Sequence, residues 1–328
     1  MESNPLYFAH LEEVNKNKPM KKGLMALCLT VLVGLLSCSG DAEELAPVVP
    51  NPDPDPVAEL LYLPVVVHVL HNGEPLGEGP NLSAERIARQ IEILNEDFRR
   101  KQGTRGFNEH PDGGDARIEF RLARQNPDGE ASTGIVRIDT SSVAKPNLGY
   151  NVNHFAQYSY WAPNQYINIW TTPLPDDAKC VVLGEASGPD TDLPGTELLS
   201  LPGPGDAEGI LVNWNHFGES DIDCHARWGR TLTHEMGHYL GLLHTWGGKD
   251  CAFNDYCDDT PAVDKTVFGR EAFAGCAGET IMIGNYMNYS DDDVMSIFTL
   301  DQIARMRYVL DKHPGRKALL TSQGLNAP

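Results

Sequence analysis

The order of apolar and polar positions divides the chain into a few readable elements. Residues 60–70 form a continuous apolar, β-branched run, which reads as a buried strand. Over residues 81–100, Ile87, Ile91, Leu94 and Phe98 recur at helical spacing, and Ser83 stands where a hydroxyl can cap the first turn. Residues 117–123 alternate as a strand, and 165–171 and 209–213 are two shorter strand candidates. Helical spacing returns over 230–240 and is lost again over 245–285, where Gly, Asp and Cys dominate. A loop of that length inside a compact domain is usually functional, or pinned by staples and ions. Thr299-Leu300-Asp301-Gln302 has the form of a capping box. It opens a last helix through about residue 312, with Ile303, Met306, Val309 and Leu310 on its apolar face. No internal repeat is visible, and the residues after His313 are expected to form a loose tail. These elements make one α+β domain over residues 60–313.

The residues before that domain read differently. Met20-Lys21-Lys22 precedes an apolar run from Gly23 to Leu36, too short to span a bilayer comfortably. A positive start, a short apolar core and a small residue at the cut make residues 1–37 a secretory signal region, with Met20 as an alternative start. Leu35-Leu36-Ser37-Cys38 resembles a bacterial lipobox, with Cys38 as the lipidated residue, although Leu36 is larger than usual there. An ordinary signal peptide cut nearby, or a membrane anchor, is the other reading. Residues 38–59 are acidic and then proline-rich, and read as an extended tether. The expected product is an exported bacterial lipoprotein of the cell envelope, on the outer membrane and exposed at the surface. It would be monomeric and reach the membrane through lipid alone. The formal net charge of −20 repels nucleic acid and anionic headgroups and favours basic peptides.

The chemistry is concentrated in His234-Glu235-Met236-Gly237-His238-Tyr239-Leu240-Gly241-Leu242-Leu243-His244. Residues four apart share a helix face, so His234 and His238 can bind one metal ion from a single turn. Glu235 is placed beside them to act on a water held by that ion. Gly241 can take a left-handed conformation, ending the helix so that His244 returns as a third ligand. Three protein ligands and one open position form a catalytic zinc site, whereas structural zinc usually takes four. The other histidines lack ligand spacing, and His68, inside the first apolar run, reads as a core residue. Of the seven cysteines, five lie in the domain: Cys180, Cys224, Cys251, Cys257 and Cys276. Export permits disulfides, connectivity stays open from sequence, and the absence of any C-x-x-C pair argues against structural zinc.

The eleven-residue run matches the long zinc motif of the metzincin metalloproteases. Downstream, Gly284-Asn285-Tyr286-Met287-Asn288-Tyr289-Ser290 resembles their Met-turn. The flanks resemble the pappalysin family: His244-Thr245-Trp246-Gly247, Asp258-Asp259-Thr260-Pro261, and Phe298-Thr299-Leu300-Asp301-Gln302-Ile303-Ala304-Arg305-Met306-Arg307. So do the weaker upstream segments Leu63-Pro64-Val65-Val66-Val67-His68-Val69, Leu94-Asn95-Glu96-Asp97-Phe98 and Tyr166-Ile167-Asn168-Ile169-Trp170. The resemblance spans about residues 60–313.

It implies a twisted, mostly parallel sheet with helices above a cleft, to about residue 244, and an irregular lower part over 245–313 ending in a helix. A peptide or protein substrate would lie extended between them. It implies Zn2+ on His234, His238 and His244, Glu235 as general base, Tyr289 steadying the tetrahedral intermediate, and Met287 as an apolar floor. It further implies Ca2+ held around Asp255, Asp259 and Thr260, and Asp293 lining a pocket for Arg or Lys after the cut. Cys251 with Cys276 is the disulfide it favours. Cys180 with Cys224 is a second possibility that leaves Cys257 free. Val294 stands where members often carry another cysteine, so one family disulfide is missing. No cysteine between Cys38 and Leu60 is available to block the metal. The reading is a zinc endopeptidase. Its rivals are a non-catalytic peptide- or matrix-binding surface module and a hydrolase of non-peptide amides.

Overall fold

A computed structural model describes residues 59–142, 151–172, 180, 183–252 and 254–327. The chain divides into units at 1–48 and 49–328, and the first lies outside the described residues. The signal region, Cys38 and the tether through residue 58 lie outside the described residues too. No helix among the described residues is long and apolar enough to cross a membrane.

Strand β1 (Leu61–His71) is the spine of the sheet, its residues Leu63 to Leu70 all buried. Along one side its first half pairs parallel with β2 (Ile118–Leu122) and its second half with β3 (Ile135–Asp139). Its other side pairs parallel with β4 (Ile167–Thr172), which pairs in turn with β6 (Ile210–Asn213). The three-residue strand β5 (Gly184–Ala186) adds antiparallel to β6 and ends the order β2-β1-β4-β6-β5. Parallel strands covered on both faces favour apolar side chains, which is why β1 reads as a nearly continuous run, while β4 and β6 also bury Asn168, Thr171, Thr172 and Asn213.

Helix α1 (Ala84–Phe98) is capped by the Ser83 side chain, which accepts from the Arg86 amide, and buries Ile87, Ile91, Leu94 and Phe98 as the spacing requires. Helix α2 (Val152–Ala156) is one short turn, and helix α3 (Arg230–Tyr239) carries the zinc motif. Between α3 and the last long helix, regular structure shrinks to β7 (Phe268–Gly269) paired with β8 (Tyr289–Ser290). Helix α4 (Leu300–Lys312) opens on the capping box formed by Thr299 and Gln302.

The loose tail expected after His313 is not what the chain forms. Helix α5 (Pro314–Ala318) and two short 3-10 turns pack back on the domain, with Arg316 and Leu319 fully buried. The cause is long-range. The Arg316 guanidinium lies 3.6 Å over the Tyr239 ring, pairs with Glu208 at 2.6 Å and donates to the carbonyls of Tyr239 and Ser187. The packed domain thus extends to the Ala327 carbonyl, which accepts from Gln125.

His68 is a core residue, as expected. It stacks on Trp170 with ring centroids 5.4 Å apart, and its Nε2 meets Asn168 Oδ1 at 2.9 Å, while Nδ1 is buried without a partner. Burial pushes its pKa down to about 4. The folded state thus binds fewer protons than the unfolded one, whose histidine titrates near ~6.5. Its contribution is present above that pH and lost as pH falls through the folded value. His68→Leu should flatten the acid limb of the stability profile between about pH 6.5 and 4, by up to ~3 kcal/mol. Urea unfolding of both proteins across that window measures it.

Candidate active site

Helix α3 begins after Gly229, whose φ of 83° suits glycine, and its first amides are held by a carboxylate. Asp292 Oδ2 accepts from the Trp228 amide at 2.7 Å and the Arg230 amide at 3.3 Å. At the other end Gly241 takes φ 93°, and Leu242 N returns to the Gly237 carbonyl at 2.9 Å. That reversal carries His244 back to the two helical histidines. His238 Nε2 lies 3.1 Å from His234 Nε2 and 3.1 Å from His244 Nε2.

The tautomers follow from the partners. His234 Nδ1 lies 2.7 Å from the Tyr286 carbonyl and His238 Nδ1 lies 2.8 Å from the Leu242 carbonyl. A carbonyl only accepts, so each Nδ1 carries the proton and each Nε2 turns a bare lone pair to its neighbours. Burial first, and then the neighbouring imidazoles for His234 and His244, hold these rings uncharged; His234 falls to about 3, His238 to about 4, and His244 well below its usual value. Lone pairs converging at 3.1 Å repel one another unless a cation lies among them. The donor set therefore fits Zn2+. Among the described residues this is the only group of three or more His, Cys, Asp or Glu placed to hold a metal ion.

Two stacked layers support the triad. Met287 is fully buried, and a Cβ built on Gly237 would lie 2.4 Å from its Sδ, so the Met-turn is pressed against the helix where only glycine fits. The Tyr289 ring lies 4.8 Å from His244 and 5.6 Å from His234, between centroids. Trp246 stacks on His244 at 4.4 Å and 9°. Its part was not apparent from spacing, although it follows the third histidine by two residues.

Glu235 is buried beside the triad, and its carboxylate accepts no hydrogen bond from the described residues. Burial, and then the charge of Glu185 on β5, push its pKa up to about 8. A divalent cation beside it acts in the opposite direction. Strand β5 passes directly over this side chain: a Cβ on Gly184 would lie 2.8 Å from Glu235 Cγ. Neither Gly184 nor Glu185 carried a sequence signal, because β5 is too short for one.

The remaining expected site residues are only partly brought together. Buried Asp255 accepts from Thr260 Oγ1 at 2.6 Å and is pushed up to about 7 by its burial. Asp259 turns instead to helix α4, where its Oδ2 accepts from the Asp301 amide at 2.9 Å. Asp293 is engaged by the chain itself: Arg270 Nη1 lies 2.6 Å from Asp293 Oδ2, and its Nε lies 2.6 Å from Asp291 Oδ2. Cys251–Cys276 and Cys180–Cys224 are both disulfides, and Cys257 is free and buried.

The parallel sheet, the helix beneath its edge and the three converging imidazoles define a metallopeptidase scaffold of the metzincin type. The family model described as Pregnancy-associated plasma protein-A matches residues 150–311. The structure of mature mirolysin from Tannerella forsythia, in complex with a cleaved peptide, is similar with a TM-score of 0.66 and 33% identity, covering 80% of this chain and 96% of that one. Two fungal extracellular metalloproteases are also similar. That of Aspergillus oryzae is 31% identical over 183 residues, 52% of this chain and 51% of its own length. That of Colletotrichum graminicola is 43% identical over 83 residues, 24% of this chain and 30% of its own length. This chain thus spans about half or less of those fungal relatives. The chain belongs to the pappalysin family of metalloproteases.

Proposed function

We propose that this chain is a zinc-dependent endopeptidase with Glu235 as its general base. The observation that carries this is the meeting of three uncharged imidazoles beside a buried carboxylate with no hydrogen-bond partner among the described residues. When bound, zinc supplies Lewis-acid activation of water and of the substrate carbonyl. Glu235 takes the proton of the attacking water and delivers it to the leaving amine; its burial favours the protonated form it must pass through. The Tyr289 phenol, over the triad, donates to the carbonyl oxygen as negative charge builds there. Edge strand β5 offers backbone groups to an extended peptide and sets it against Glu235. Internal cuts in a mixed peptide library should vanish on chelation and return with about one zinc per chain. Cutting that survives exhaustive chelation would count against the metal.

The acidic body favours basic peptides, and Asp293 is the residue we assign to selecting Arg or Lys after the cut. Such a residue must compete with Arg270, which now pairs with Asp293 and Asp291. Arg270→Ala should raise kcat/KM for peptides with Arg after the cut roughly two- to fivefold, the scale of an exposed ion pair. Leu peptides should not change, and Asp293→Asn should erase the difference. Equal turnover of Arg and Leu peptides by wild type would remove the assignment. Asp255, Asp259 and Thr260 are the residues we assign to Ca2+, whose hard character suits their oxygens. Export, with lipid at Cys38 as the membrane tether, completes the proposal; labelling with radioactive palmitate in cells, lost in Cys38→Ser, tests it.

A further inference from the structure

Arg305 lies on helix α4, outside the zinc motif, and is 2% exposed. A guanidinium buried that deeply calls for specific acceptors, because desolvation works against its charge; Nη1 has none among the described residues, and the other two nitrogens are held. Its acceptors are two backbone carbonyls from different segments. Nε donates to Gly241 O at 2.7 Å, and Nη2 donates to Pro194 O at 2.8 Å, in the loop that follows edge strand β5.

Gly241 is the pivot between the second and third histidines. Its amide donates to the His238 carbonyl, and its φ of 93° turns the chain toward His244. The next carbonyl, that of Leu242, faces His238 Nδ1 and so fixes which nitrogen of that ring is bare. Helix α4 closes on the same pivot from a second point, since a Cβ on Gly241 would lie 2.8 Å from Val309 Cγ2. The carbonyls at the end of a helix carry its negative pole, where a cation is favoured. A planar fork can join the Gly241 carbonyl to a loop carbonyl at fixed separation, which an ammonium group does not do.

We infer that Arg305 is a positioning residue for the metal site: by gripping Gly241 O it sets the turn that aims His238 and His244 at a common point, and by gripping Pro194 O it fixes that turn relative to the loop after β5. It touches neither metal nor substrate. The inference rests on the zinc reading above and adds to it a residue that acts at a distance.

The test compares Arg305→Gln and Arg305→Lys with Leu319→Ala, which opens the core in the closing segment without touching the turn. Zinc affinity is measured by competition with a chromogenic chelator, the ligand field by the visible spectrum of the cobalt-loaded protein, and stability by urea unfolding. Arg305→Gln should bind zinc about 10- to 100-fold more weakly, the range for loss of an outer-shell partner, with an altered cobalt spectrum. Arg305→Lys should shift both in the same direction by less. Leu319→Ala should lose stability yet keep wild-type zinc affinity and spectrum. If Arg305→Gln does not fold, the lysine variant is read in its place. Wild-type zinc affinity and cobalt spectrum in the folded Arg305 variant would overturn the inference, whatever its stability. A wild-type protein that binds no zinc at the histidines would instead sink the underlying reading.

Discussion

Glu235→Gln should lower kcat/KM on an internally quenched peptide by about a thousandfold or more, while zinc remains bound at wild-type stoichiometry. General-base catalysis contributes ~10²–10⁴ in rate, and no other described carboxylate is assigned to take this proton. Glu185 is the nearest rival, since its charge is felt at Glu235, but it projects from β5 and is itself pushed up to about 7 by burial. Glutamine matches the shape of Glu235 and loses no hydrogen bond to the described residues, so the variant should fold. Retained turnover would transfer the base to another group, with Glu185→Gln the next variant to assay. Loss of zinc together with turnover would mean that Glu235 acts on the metal site as a whole.

Asp97→Ala should lower unfolding free energy by about 3–5 kcal/mol, the typical cost of breaking a buried ion pair from one side. Asp97 Oδ1 lies 3.0 Å from Arg230 Nη2, and Thr233 Oγ1 donates to Asp97 Oδ2 at 2.7 Å. Arg230 is a cation in the first turn of helix α3, where the helix dipole opposes it. It is 1% exposed, so water cannot compensate, and Asp97 with Asp292 must supply the negative charge. Because α3 bears two of the three histidines, the loss should be seen in the apo- and zinc-loaded proteins alike. Replacing both partners, Asp97→Ala with Arg230→Met, should recover part of the loss, since no lone charge is then buried. Urea titrations of the single and double variants decide it; a single-variant loss under ~1 kcal/mol would show that water reaches the pair.

The parts of this structure legible in the sequence are those whose cause is local. The His234–His238 spacing, the Gly241 turn, the Ser83 cap and the Thr299–Gln302 box each arise within a few residues, and each forms as expected. Strands β3 and β5 were not legible. β3 is only partly buried along its length and β5 has three residues, so neither carries a periodic apolar pattern. The order of the closing segment has no local signal, because it comes from Arg316 reaching Tyr239, Glu208 and Ser187, contacts that no local spacing encodes. The same holds around the site. His244 could be placed by its motif, but the grip of Arg305 on the turn and of Arg270 on Asp293 depends on segments that only the fold brings together.

X-ray absorption at the zinc K-edge, joined to metal analysis of the purified protein, tests the central claim most directly. One zinc per chain, with three imidazole nitrogens at about 2.0–2.1 Å and a light atom completing the shell, is the expected result. Fewer than three imidazoles, a sulfur ligand, or protein that takes up no zinc would contradict it.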